Sequence, residues 1–186
     1  LNGFVTHSFN APSNWRATQS LSECLSAADI PAIAGIDTRA LTIKLRTQGS
    51  LKGFLSVADT IGEDEAVSQA RDWEGLDGQD YASRVTCSKA YDWDRDGTRS
   101  RTWGIADTLP PTNMTIVAYD FGIKWNILRS MRVNGMEVTV VPATTSAEEV
   151  LALNPDGIFL SNGPADPAAV TYAVRAVADL VGRKPI

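Results

Sequence analysis

Three short runs, Thr115-Ile-Val-Ala-Tyr119, Glu137-Val-Thr-Val-Val141 and Gly157-Ile-Phe-Leu160, alternate with stretches of helical periodicity, and this alternation constrains the fold most. A strand that is apolar at almost every position is covered on both faces, as happens in parallel sheets flanked by helices. Repeated βα units therefore predict a doubly wound α/β sheet from Met114 onward, with ligands gathering beyond the carboxyl ends of its strands. Helices are predicted over Lys124 to Val133, ending at Asn134-Gly135, and over Ala147 to Leu153, opened by Ser146 as a cap. The tail Gly182-Arg-Lys-Pro-Ile186 reads as the start of another buried strand, so the chain is expected to be a piece of something longer.

The third run leads directly into turn formers, Ser161-Asn-Gly-Pro-Ala-Asp-Pro167. Gly163 lets a ligand approach the main chain, while Pro164 fixes φ and lacks an N–H. The amide donors left in the turn are Gly163, Ala165 and Asp166. Asp166-Pro167 before the Ala- and Val-rich stretch from Ala168 to Ala178 predicts an N-cap with proline at the first helical position. A strand, a turn and a helix N-terminus make an anion or carbonyl site. A tight connection without a ligand fits the same pattern. Asp120-Phe-Gly122, the exit of the first run, is expected at the same edge. Protein kinases also carry Asp-Phe-Gly, but here no Gly-rich loop or catalytic-loop signature accompanies it.

The first half of the chain alternates less regularly. Ser20-Leu-Ser-Glu23 matches a capping box for a helix through about Ala28. Ile30 to Ile36 reads as a strand, Asp37 as the cap of a helix from about Arg39 to Gln48 that ends at Gly49, and Leu51 to Val57 as another strand. Leu41 and Leu45 are expected to face inward on that helix. A polar helix follows over Gly62 to Trp73. The charged stretch containing Asp92-Trp-Asp-Arg-Asp-Gly97 and Leu109-Pro110-Pro111 reads as a linker. The expected organisation is a small N-terminal α/β domain over residues 1–90, a linker over 91–113 and the first half of a doubly wound domain over 114–186.

Several function classes fall away on composition. With 186 residues and 44% hydrophobic content the chain can bury a real core, and no run approaches the roughly 20 apolar residues a membrane span needs. A net charge of -5 opposes binding to a phosphate backbone, and Arg95, Arg99 and Arg101 alternate with Asp92, Asp94 and Asp96 in what reads as a solvated loop. Cys24 and Cys87 fit no metal or redox spacing and are expected to be reduced thiols in a cytosol-like compartment. The start, Leu1-Asn-Gly-Phe, has no basic segment of the kind that opens a signal peptide. His7 is the only histidine, and Glu63, Asp64 and Glu65 sit at an exposed helix start, so neither a catalytic triad nor a metal site is indicated.

Three stretches together resemble the small, glutamine-hydrolysing subunit of carbamoyl-phosphate synthase, or the equivalent domain of a fused synthase. Gly35-Ile-Asp-Thr-Arg-Ala-Leu41 through Leu45-Arg-Thr-Gln-Gly49 is similar to the family's N-terminal domain. Val117-Ala-Tyr-Asp-Phe-Gly-Ile-Lys-Trp-Asn-Ile-Leu128 is similar to the opening of its class I glutamine amidotransferase domain, and Ser161 to Pro167 to its glutamine loop. The likeness is weakest from Asp77 to Asn113. It implies a cysteine nucleophile at a strand-to-helix elbow, an activating histidine and an orienting glutamate, all expected beyond Ile186. Neither Cys24 nor Cys87 matches the nucleophile's position. Gly163 and Ala165 match the two loop positions that contact glutamine, the second being glycine in the family. Alanine keeps the N–H and is strained, by roughly 1–2 kcal/mol, only where φ must be positive.

The resemblance further implies a large synthetase subunit or domain as partner, docked through the N-terminal domain, in which Arg39 and Lys44 on the helix after Asp37 have no structural role assigned. That partner uses ATP, Mg and bicarbonate to make carbamoyl phosphate for arginine and pyrimidine synthesis in the cytoplasm. No cofactor is expected in this chain. Two other interpretations stay open: another class I amidotransferase, such as one feeding guanylate or anthranilate synthesis, and a non-catalytic α/β binding module.

Overall fold

Ser20 opens the first helix as its capping box requires: its hydroxyl accepts from the Glu23 amide, and the Glu23 carboxylate accepts from the Ser20 amide at 2.7 Å. The computed structural model describes residues 2–57, 60–101, 108–164 and 166–186, and the chain divides into two compact units, Leu1–Gly75 and Leu76–Ile186.

In the first unit, β1 (Phe4–Val5) pairs parallel with β2 (Ala32–Ile33), and α1 (Leu21–Ala27) connects them. Then come α2 (Thr38–Gln48), capped by the Asp37 side chain on the Ala40 amide at 2.9 Å, and α3 (Glu63–Asp72) with its acidic first turn. The strand predicted over Ile30 to Ile36 shrinks to two residues, and Leu51 to Val57 forms no strand. Leu25 is the one buried hydrophobic side chain among the described residues of this unit. Leu41 and Leu45, expected to face inward, are 38% and 39% exposed. Their spacing matches an apolar helix face, but the described residues of this unit form no buried apolar layer over it.

The second unit contains α4 (Ala82–Val85), β3 (Tyr91–Trp93), α5 (Thr98–Arg101), β4 (Met114–Asp120), α6 (Trp125–Val133), β5 (Met136–Pro142), α7 (Ala147–Ala152), β6 (Gly157–Leu160) and α8 (Thr171–Leu180). Its sheet has the order β3-β5-β4-β6; β4, β5 and β6 are parallel, with Val117 opposite Thr139 and Ile158. Alternation along β4 splits the core between the two faces. Val117 and Tyr119 pack with Val141, Val150, Ala176 and Leu180 on the face covered by α7 and α8. Ala118 packs with Trp93, Leu128, Val138 and Val140 on the face covered by α6. Full burial of Leu128, at 0% exposure, stabilises the fold by about 1.5–3 kcal/mol. The chain is thus α/β with helices on both faces of a largely parallel sheet.

The expected linker over 91–113 is corrected in part. Tyr91–Trp93 is an antiparallel edge strand, with Trp93 opposite Val138 and only 2% exposed. The charges that disguised it have structural work: buried Asp94, at positive φ, accepts from the Arg99 and Ser100 amides at 2.8 and 2.7 Å and so holds the turn into α5. Residues 102–107 of that stretch lie outside the described residues.

Candidate functional site

Because Tyr119 of β4 is registered against Leu160 of β6, the residues that follow each strand leave the sheet side by side. Asp120 folds back over its own turn. One carboxylate oxygen accepts from the Gly122 and Ile123 amides, both at 2.9 Å, and the other accepts from the Cys87 amide at 2.8 Å. Gly122 sits at φ +114°, a conformation that favours glycine. With three backbone donors on its carboxylate, Asp120 serves as a buckle for the turn.

The second turn locks onto the first. The Phe121 amide donates to the Ser161 hydroxyl at 2.9 Å, and that hydroxyl donates to the Asn162 carbonyl at 2.9 Å. Gly163 follows, so close to Phe121 that a Cβ built on it would strike the Phe121 carbonyl oxygen and lie 2.9 Å from the Phe121 Cβ. Glycine is therefore required here by the approach of two backbones. The residue is exposed, and its N–H makes no hydrogen bond to any described residue. The structure thus brings the two expected turns together and leaves Gly163 exposed at the carboxyl edge, its amide without a described hydrogen-bond partner. Ala165, the other expected substrate contact, lies outside the described residues.

The helix start is corrected. Asp166 accepts from the Ala168 amide through its side chain at 2.9 Å and from the Ala169 amide through its carbonyl at 3.0 Å, forming a separate turn. Helix α8 begins only at Thr171, with Val170 as an N-cap that offers no side-chain bond. Its dipole therefore does not point at Gly163 from the next residue, as Asp166-Pro167 had implied. Asp capped the nearest free amides, which belong here to a turn and not to the helix.

Beside Gly163 opens a cleft of about 490 Å³, lined by Phe121, Leu160, Gly163 and, from α8, Ala173, Val174 and Val177, with Asn162 at its polar rim. Apolar walls beside a turn whose amide has no described partner are the make-up of a small-molecule site. Cys87 is not prepared as a nucleophile. Burial first, then the neighbouring Asp120 carboxylate, pushes the Cys87 thiol up, the opposite of what activates a thiolate. Cys24 is an exposed residue of the first unit. Among the described residues, no group of three or more His, Cys, Asp or Glu side chains could hold a metal ion, and no helix is long and apolar enough to cross a membrane.

Sequence reasoning missed a strap. Residues 78–87 cross the carboxyl edge of the sheet: the Gly78 amide donates to Asp166 at 3.3 Å, Asp80 accepts from the Tyr172 hydroxyl at 3.2 Å, and Ala82 is buried against Val170 and Ala173. The strap ends with the Thr86 hydroxyl accepting from the Ala143 amide at 2.8 Å and the Cys87 amide on Asp120. Asp80, three residues before Ser83 whose amide it caps at 2.9 Å, was the only local signal of order in this stretch.

Two family models match the chain. Residues 117–186 match "Glutamine amidotransferase class-I", and residues 1–55 match "Carbamoyl-phosphate synthase small chain, CPSase domain". Similar curated proteins include the carbamoyl phosphate synthase small chain of Pseudomonas putida, 47% identical over 91% of this chain and 45% of its own length. The chloroplastic small chain of Oryza sativa subsp. japonica is 47% identical over 94% of this chain and 38% of its own. That of Syntrophotalea carbinolica is 42% identical over 100% of this chain and 49% of its own. The chain spans less than half the length of each of these relatives.

Proposed function

We propose that this chain is part of the glutamine-hydrolysing small chain of a carbamoyl-phosphate synthase. The observation that carries the proposal is the Gly163 turn, whose amide is open at the carboxyl edge of the sheet within the stretch that matches class I glutamine amidotransferases. The small-chain match over residues 1–55 favours this parent over amidotransferases that feed other pathways.

The chemistry is acyl transfer from the glutamine carboxamide. A cysteine thiolate supplied outside these 186 residues attacks the carbonyl carbon, the C–N bond breaks, and ammonia leaves once its nitrogen is protonated by the activating histidine. Water then hydrolyses the glutamyl thioester, releasing glutamate and regenerating the thiol. The Gly163 turn holds the substrate and offers an N–H to the oxyanion, a contact worth about 3–4 kcal/mol in comparable sites. The Ile158 amide of β6 donates to the Pro185 carbonyl at 2.9 Å. Ammonia passes to a large synthetase subunit or domain that binds ATP and Mg and consumes bicarbonate. The first unit supplies the docking surface, with Arg39 and Lys44 on α2.

The test is to express the longest reading frame containing this sequence together with the large synthetase subunit. Glutamate release and glutamine-dependent carbamoyl phosphate formation are then measured. Expected are both activities, lost on replacing the elbow cysteine. Absence of glutamate release from a folded complex, shown by ammonia-dependent synthesis, sinks the proposal.

A further inference from the structure

We propose that Tyr172 is a positioning residue for the substrate loop, acting through Asp80 and the strap that crosses the carboxyl edge. This rests on the function proposed above. Near its start the loop is fixed by Ser161 on the Phe121 amide and by the contact of Gly163 with Phe121. Beyond Gly163 the described anchor outside the loop's own turn is the Gly78 amide on the Asp166 carboxylate, at 3.3 Å a long bond that holds only if Gly78 is itself held. Two residues along, the Asp80 carboxylate accepts from the Tyr172 hydroxyl at 3.2 Å and from the Ser83 amide at 2.9 Å.

The same oxygen thus ties the strap to α8 and organises α4, whose Ala82 is 1% exposed against Val170 and Ala173. Tyr172 stays a protonated donor, because burial and then Asp80 push its phenol up. Loop, strap and α8 form a closed circuit: Asp166 to Gly78, Gly78 along the chain to Asp80, Asp80 to Tyr172, and Tyr172 back along the chain to Asp166. Opening it at the hydroxyl removes no carbon packing, frees the far side of Gly163, and leaves the Phe121 contacts in place.

The experiment uses the full reading frame in complex with the large subunit. Tyr172→Phe is expected to raise the KM for glutamine about fivefold or more, with ammonia-dependent synthesis unchanged within about twofold. Asp80→Ala should reproduce the effect. Asp80→Asn, which keeps an acceptor oxygen, should restore the KM. In the 186-residue chain, Tyr172→Phe should also accelerate hydrogen exchange across residues 161–170. A glutamine KM unchanged in Tyr172→Phe overturns the inference, as does a parallel fall of both activities, which marks the bond as merely structural. If the wild-type complex releases no glutamate, the functional proposal itself has failed; unaltered hydrogen exchange in the variant chain shows independently that the circuit holds nothing.

Discussion

At Gly163 two explanations for a glycine compete, conformational freedom and close approach, and the structure decides for the second. The dihedral is not left-handed, while a Cβ would collide with the Phe121 carbonyl. Gly163→Ala should therefore destabilise the chain by about 1–3 kcal/mol through overpacking, read as a lower denaturation midpoint at unchanged slope. It follows that a substitution at Gly163 mixes folding with the proposed substrate contact and is a poor probe of either alone. Asp120 makes a different kind of prediction. Asp120→Asn keeps one acceptor oxygen but turns an NH2 donor toward either the Cys87 amide or those of Gly122 and Ile123, so about 1–3 kcal/mol of stability should go in the same assay. The location of both turns was legible in the sequence, since they follow apolar runs and carry turn formers. Their interlock was not, because residues 121 and 163 meet only once strand register is set.

Among the elements, caps with a local signature were readable and contacts between distant elements were not. Ser20, Asp37 and Ser146 cap the helices that the sequence assigned to them. By contrast β3 hid among charges, since three residues at a sheet edge show no clear period, and Asp166 capped a turn in place of a helix. Helix α7 offers a test with a pH signature. Its Ser146 hydroxyl accepts from the Glu149 amide at 3.2 Å and its Glu149 carboxylate accepts from the Ser146 amide at 2.8 Å, so Ser146→Ala should cost about 1 kcal/mol. The bonds from Ser146 hold the Glu149 carboxyl below its ordinary range. Its contribution is present above the usual carboxylate pKa and is lost as pH falls through the depressed value, and Glu149→Gln should flatten that part of the acid limb in urea denaturation. The alkaline limb has its own marker. Burial first, then the Glu149 and Glu148 carboxylates, pushes Tyr119 up to about 12. An unfolded tyrosine loses its proton near about 10, so stability should fall as pH rises from there toward the folded value, and Tyr119→Phe should weaken that fall.

For the whole molecule, the two units differ in what they bury. The second holds two apolar layers on a four-stranded sheet, whereas α2 and α3 of the first bury no residue among those described. Hydrogen exchange should accordingly find slow amides in β4 and β5 and fast ones throughout the first unit. Comparable protection in both would contradict the burial pattern. Purified alone, the 186-residue chain should release no glutamate from glutamine above background, since Cys87 is held as a thiol beside a carboxylate. Release that disappears on Cys87→Ala would overturn this expectation.

The strap also bears on how the molecule comes into being. Its residues precede the three parallel strands of the second unit, yet their partners lie 33 positions away at Asp120, 57 at Ala143 and 92 at Tyr172. Contacts so distant in sequence form late, after shorter loops have closed. On a ribosome, β4 and β5 can pair while the strap still waits for the codon of residue 172 to be read. The carboxyl edge is therefore finished last, and a nascent chain completes the strap across it only after nearly all of this segment has been made.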